Sequence, residues 1–157
     1  MIYKLTDNQN MTMNSTRWGE GVTHSGTGVG ELCSSAYIHA YRTPLLAVFM
    51  DPVHSGYLPD GHLWEAEGEI VLDDRTKLGC ITLTTLRHIK APAVTLIQRI
   101  AFGILAAKAL PQSKKWTIWA DNWLDGKDRS HRAAADAWAA EAEARSEERR
   151  VGKECRL

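Results

Sequence analysis

The chain has 157 residues, enough for one domain with some appended structure, and a hydrophobic fraction of 44%, ordinary for a globular protein. Lys and Arg total 19 and so do Asp and Glu, a balance that excludes the broad positive field of a general nucleic-acid or anionic-lipid binder. Six tryptophans predict a core built largely on indole rings. Cys33, Cys80 and Cys155 are too scattered for a disulfide framework or a four-ligand zinc site, and Cys33 and Cys80 are expected as buried small hydrophobes. The first seven residues hold neither a basic cluster nor an apolar run. The longest apolar stretch, 100–110, is interrupted by Lys108 and is too short to cross a bilayer. The expected compartment is the cytoplasm, with no membrane contact.

Residues 2–6 alternate apolar and polar and predict a first strand; 7–15 read as a polar turn region, and Arg17-Trp18 as part of a second short strand. Residues 19–30 carry five glycines in twelve positions and predict a mobile loop. A phosphate-cradling glycine loop needs Lys-Ser/Thr behind it, or a strand before it and a helix directly after, whereas Glu31-Leu32-Cys33 follows here.

The chain is organised around residues 32–50, where a strand over 36–41 meets a helix over 45–50. Thr43 is placed to be the N-cap and Pro44 the first helical residue, where its missing N–H costs nothing. Strand alternation puts Tyr37, His39 and Tyr41 on one face, while the helix buries some combination of Leu45, Leu46, Val48 and Phe49. Pro52 is expected to end that helix and Pro59-Asp60-Gly61 to form a turn. The clearest strand is 62–72, with Trp64, Ala66, Gly68, Ile70 and Leu72 on its apolar face and Glu65, Glu67 and Glu69 on a solvated one. After a turn at 73–77, the Thr-rich stretch 78–89 predicts one or two more strands.

A capping box at Thr95 and Gln98 opens a helix running to Leu110, its buried side formed by Ile97, Ile100, Ile104 and Leu105. A second helix over 114–124 carries Trp116, Trp119, Ala120 and Trp123 on one face, with Gly126 as its C-terminal cap. Helical spacing favours core packing over base stacking for this stripe. Asp128 or Ser130 caps a third helix in which eight of the residues 133–144 are Ala and only Trp138 offers a large anchor, so this helix is expected to project, fray or pack on a partner copy.

Tyr37, His39 and Tyr41 are the best polar cluster. No catalytic residue follows from them, because His39 has no carboxylate near it in sequence. His54 and His62 bracket a Gly/Pro loop and could approach His39, but their spacing is no zinc signature, and no metal or cofactor is expected. Ser34 and Ser35 sit in no nucleophile elbow.

Taken in order, Tyr3-Lys4, Trp18-Gly19-Glu20-Gly21, Leu32-Cys33-Ser34, Ile38-His39-Ala40-Tyr41, Pro44-Leu45 and the glutamate-rich strand ending Gly68-Glu69-Ile70 resemble a family of uncharacterised phage and bacterial domains. The resemblance covers about residues 1–90. It implies a small phage-type accessory protein acting as a structural or protein-interaction module, and it carries over no catalytic residue. A second resemblance, to ADP-ribosyltransferase-like folds, rests on the strand that enters the short helix. Tyr3-Lys4 stands where those folds carry His-Gly or Arg-Gly, and Thr84-Thr85-Leu86-Arg87-His88 holds no glutamate. It implies a nucleotide-binding cleft lined by Tyr37, His39, Tyr41 and a carboxylate. Residues 145–156 resemble a translated sequencing-library adapter, which implies a tail, Cys155 included, without functional meaning.

The fold class expected is α+β: a small mixed or mainly antiparallel sheet with a short helix, then two packed helices and an Ala-rich C-terminal helix. Residues 1–92 form the core domain, 93–126 a helical hairpin packed on it, 127–144 the Ala-rich helix and 145–157 a disordered or artefactual tail. A protein partner, or self-association through the C-terminal helices, is expected, and nucleic acid is not.

Overall fold

The computed structural model describes residues 1–154, with side chains through Ser146. The fold is α+β, in two compact units, Met1–Val94 and a second that begins at Thr95. No helix among the described residues is long and apolar enough to cross a membrane.

In the first unit a five-stranded sheet contains β1 (Ile2–Thr6), β4 (Thr23–Ser25), β5 (Ile38–Ala40), β6 (His62–Asp73) and β7 (Leu78–Ile89); β2 (Met11–Thr12) and β3 (Thr16–Arg17) form a separate two-stranded ribbon. Every pairing is antiparallel. β6 lies between β1 and β7, and the other edge of β7 receives β5 at residues 78–80 and β4 at 82–84. Tyr41, just past β5, exchanges backbone bonds of 2.8 and 2.9 Å with Tyr3 of β1. The chain of pairings β1–β6–β7–β5 is thereby closed back onto β1. Ile2, Trp18, Ala40, Ala66, Leu78, Cys80 and Leu83 form one core cluster of the unit. Helix α1 (Pro44–His54) packs on β1 and starts as the sequence predicts, with the Thr43 hydroxyl accepting from Leu46 N–H at 3.1 Å.

Several expectations need correction here. The strand expected over 36–41 is only β5, because Tyr41 turns to bond β1 and Tyr37 lies before the β7 register begins. Pro52 does not end α1. Near the helix end it gives up a single backbone bond, and the turn beyond it is held by the Asp51 carbonyl, which accepts from Ser55 N–H at 2.9 Å. The buried side of α1 is Ala47, Val48, Met50 and Asp51, with Leu45 exposed. The glycine-rich stretch 19–30 is not all loop: it contains β4, and flanking bonds from Gly21 N–H to Thr85 and from Gly26 N–H to Ile81, both 2.8 Å, lace residues 21–26 to β7. Gly26 is required there, since a Cβ would lie 2.2 Å from the Ala36 carbonyl oxygen.

In β6, Leu63 is as buried as Trp64 and Ala66, so its first half is covered on both faces, which alternation alone does not register. Irregular register between Gly68 and Ile70 breaks the alternation beyond, and Ile70 is exposed. Glu65 is held by its cross-strand neighbour Arg87 through bonds of 2.5 and 2.9 Å; Glu67 and Glu69 are exposed. Cys33 is exposed, while Cys80 is buried as expected.

The second unit consists of α2 (Leu96–Lys108), α3 (Lys114–Leu124) and α4 (His131–Glu154). The Thr95–Gln98 capping box forms, Ser113 caps α3, and Gly126 takes the left-handed conformation at its far end. The core is Ile104, Trp116, Ala120, Trp123 and Ala137. Of the side predicted for α2, only Ile104 is buried. Ala101 and Ala107, three residues to either side, continue its contact line, which leaves Ile97, Ile100 and Leu105 outside it. α4 packs on α3 through Ala137, whose small side chain allows close approach, while the expected anchor Trp138 is 61% exposed. The helix runs to Glu154, past the expected boundary at 144. The part of the tail beyond that residue, Cys155 included, lies outside the described residues.

Candidate functional site

The first unit contains a cleft of about 710 Å³, a size suited to a small molecule. Tyr37, His39 and Tyr41 all line it, and so do Lys4, Trp18, Cys33, His54, Tyr57, Asp74 and Lys77. β1 brings Lys4, β5 brings His39, the end of α1 brings His54, and the β6–β7 turn brings Asp74 and Lys77. His62 lies elsewhere, bonded to Asn10 at 2.6 Å and edge-on to His88. Among the described residues no group of three or more His, Cys, Asp or Glu side chains is placed to hold a metal ion.

Backbone anchors hold these side chains in place. Tyr37 donates its hydroxyl to the Gly28 carbonyl at 2.8 Å, and its ring lies over Gly79, where a Cβ would be 3.3 Å from the ring and 2.7 Å from Leu32 Cδ1. Gly79 is the residue facing His39 across the ladder, so the bare backbone of β7 makes room for the aromatic wall of the cleft. The His39 Nε2–H donates to the Leu32 carbonyl at 2.5 Å, which leaves the lone pair of the neutral ring on Nδ1. Burial lowers the His39 pKa; the Leu32 bond opposes that, and the charges of Lys77 and Lys4 add to it. The hydroxyl of Tyr41 and Nδ1 of His54 share a hydrogen bond of 3.2 Å beneath nearly parallel rings. Burial, followed by the negative charge of Asp51, pushes the Tyr41 phenol well above its ordinary range. The His54 pKa is lowered by burial first and by Lys77 second.

Asp51 positions the α1 side of the cleft. Its carboxylate is 2% exposed and accepts from the Ser55 hydroxyl at 2.9 Å, from Tyr57 N–H at 2.9 Å and from Leu58 N–H at 3.1 Å. It fixes the segment that carries His54, Ser55 and Tyr57 into the lining.

Two lysines stand out. Lys4 shares the inward face of β1 with Ile2 and Thr6 and is only 8% exposed. Its Nζ donates to the His39 carbonyl at 2.8 Å and sits 5.0 Å from the centre of the Trp18 ring. Burial brings its pKa down to about 8. Lys77, also 8% exposed, donates to the Cys33 sulfur at 3.0 Å. Neither lysine forms an ion pair within 4.0 Å among the described residues. Asp74 is the one carboxylate in the lining, and its Oδ1 serves its own turn, accepting from Thr76 N–H and Lys77 N–H.

Sequence reasoning missed Lys4, Lys77 and Asp51. Lys4 left a trace, since it falls in step with Ile2 and Thr6 where a half-buried strand should place its inward residues. Lys77 and Asp51 left none, because a turn lysine and a helical aspartate are ordinarily solvated.

A second cavity, of about 560 Å³, lies between α3 and α4. It is lined by Trp119, Ala137, Ala140, Lys115, Asp136 and Glu143 among others, and holds no comparable buried charge. No family model, no curated protein and no solved structure matches this chain.

Proposed function

We propose that residues 1–94 form a binding domain for a small organic anion with a flat ring system. The observation that carries this reading is the pair of buried lysines on one cleft whose single carboxylate, Asp74, feels the charge of Lys77 but makes no ion pair with either lysine. Desolvating an ammonium group costs several kcal/mol unless an opposite charge compensates it, and the cleft offers two cations, two histidines and a single acid already engaged in a turn. A bound carboxylate or phosphate supplies the missing charge, and Trp18, Tyr37, Tyr41 and Tyr57 offer surface to a ring. A nucleotide joins both features, and the resemblance to ADP-ribosyltransferase-like folds leads to the same ligand class.

Calorimetric titration with AMP, a nicotinamide dinucleotide and pyridoxine 5′-phosphate tests the reading. At least one should bind, and Lys77→Met and His39→Ala should each weaken it tenfold or more, about 1.4 kcal/mol. Absence of heat and of any thermal shift with all three at millimolar concentration removes the proposal.

A structural or protein-interaction role is the second reading, carried by the second unit. Leu96, Ile97, Leu105, Leu110 and Trp138 there are each more than half exposed, and a partner that covered them would gain apolar burial. In this reading the protein is a phage-type accessory module whose C-terminal helices meet a protein partner or a second copy. Sedimentation of the protein alone, compared with a Trp138→Ala, Leu105→Ser variant, tests the second-copy form.

A further inference from the structure

Lys4 occupies a position where an apolar residue would be the more stable choice. It lies on the face of β1 that holds the core residue Ile2, opposite Trp64 in the ladder and close enough to the core thiol Cys80 for each to feel the other's charge. Of its three N–H donors, one meets the His39 carbonyl and the indole face of Trp18 lies nearby. No carboxylate holds the group as an ammonium ion. An amine in such surroundings gives up its proton readily, and a neutral amine in a cleft is a nucleophile toward carbonyl carbon.

Resting on the anion-binding reading above, we propose that Lys4 is an imine-forming lysine, whose substrate class is a ring-bearing aldehyde or ketone that also carries a phosphate or carboxylate. Lys77 receives the anionic group, the aromatic wall receives the ring, and the carbonyl reaches Lys4. The Nζ lone pair attacks the carbonyl carbon, a C–N bond forms, and the C=O π pair moves to oxygen, which takes up a proton released from nitrogen. The carbinolamine oxygen then accepts a second proton, drawn from solvent through His39, and leaves as water while the nitrogen lone pair closes the C=N bond; the iminium nitrogen returns one proton to solvent to give the imine. One amine and one carbonyl become one imine and one water, with no change in oxidation state. His39, whose Nδ1 lone pair remains available and whose ring feels the charge of Lys4, is the proton carrier of the cleft.

With a pKa of about 8, roughly a quarter of Lys4 is neutral at pH 7.5, against roughly one in a thousand for an ordinary lysine. The exposed Met1 amine is the main competitor and gives the experiment its internal control.

The probe is pyridoxal 5′-phosphate, which has ring, phosphate and aldehyde, set against pyridoxine 5′-phosphate, which lacks only the aldehyde. The full chain is incubated with equimolar pyridoxal 5′-phosphate, reduced with borohydride and mapped by peptide mass spectrometry. The proposal expects one dominant adduct, on Lys4, at least tenfold above that on the Met1 amine or any other lysine, and its loss in Lys4→Met. If pyridoxine 5′-phosphate binds but the adduct is absent from Lys4 or spread over surface amines, the imine inference is wrong while the anion site stands. If neither compound binds, the anion-binding reading falls and takes this inference with it. Site mapping is done on the unsubstituted chain, so the result does not depend on how well Lys4→Met folds.

Discussion

The two units of this protein bury different things. The first buries Lys4, Thr6, Asp51, Lys77 and Thr85 beside its apolar core, whereas Glu141 is the one buried charged or polar residue among those described in the second. Both units expose large apolar side chains, Val29 and Val53 in the first and Leu96 and Leu110 in the second, but the first keeps its tryptophans covered while Trp138 of the second is 61% exposed. A buried polar group stabilises a fold only when its bonds are satisfied, so each such group in the first unit either holds a loop in place or awaits a partner. Asp51 and Thr85 belong to the former kind, and in the reading proposed above Lys4 and Lys77 belong to the latter. The second unit is arranged for packing by its own tryptophans and alanines.

The largest effect that would sharpen this contrast is at Asp51. Asp51→Ala leaves two part-buried N–H groups and a hydroxyl without their buried acceptor. It should cost about 3 kcal/mol in urea unfolding and abolish ligand binding in the cleft. Glu141→Ala, which frees Ser113 N–H and Arg145 near solvent, should shift the unfolding midpoint less. If the two substitutions cost the same, the distinction between the units is not one of buried polar anchoring.

Lys4→Met should act in the opposite direction, raising stability at pH 7 while removing the amine proposed to form the imine. The folded protein holds the Lys4 proton more weakly, with a pKa of about 8 against 10.5 for a free lysine, a difference on the order of 3 kcal/mol carried by the folded state below pH 8. Between those values the unfolded chain binds more protons, so stability rises with pH. Cys80, pushed by burial from 9.0 to about 11, opposes the trend above pH 9, where the unfolded thiol ionises first. Stability of the unsubstituted chain should therefore climb from pH 8 to 9 and then level off, and Lys4→Met should lose that climb. An unchanged profile in the variant would mean that Lys4 is solvated.

The smallest effect belongs to the solvated edge. Glu67→Gln, on an exposed carboxylate, should change stability by less than about 0.5 kcal/mol, with no response to magnesium or manganese. A metal-dependent thermal shift that vanishes with this substitution would move the search for chemistry from the cleft to β6.

Local signals were legible where the physics is local. Thr43-Pro44, Thr95 with Gln98, and Gly126 each announce a helix end through one or two backbone bonds, and the structure places those ends there. The Trp116–Ala120–Trp123 stripe is buried because side chains three and four apart share a helix face whatever lies opposite. Which of Leu45, Ile97, Leu105 or Ile70 is covered depends on how many neighbours an element meets, and no window of sequence counts them. Periodicity therefore overstated the buried side of α2 and missed Leu63, enclosed on both faces of its strand. The cleft was legible only in part. Tyr37, His39 and Tyr41 all line it, as alternation suggested, although only His39 lies within β5 and Tyr41 is placed by its bridge to Tyr3. Lys4 and Lys77 join it because the Tyr3–Tyr41 bridge folds β1 against the β5 end and because the β6–β7 hairpin returns its turn to the same place. These are contacts across tens of residues, set by backbone pairing and loop closure, and only the tertiary structure decides them.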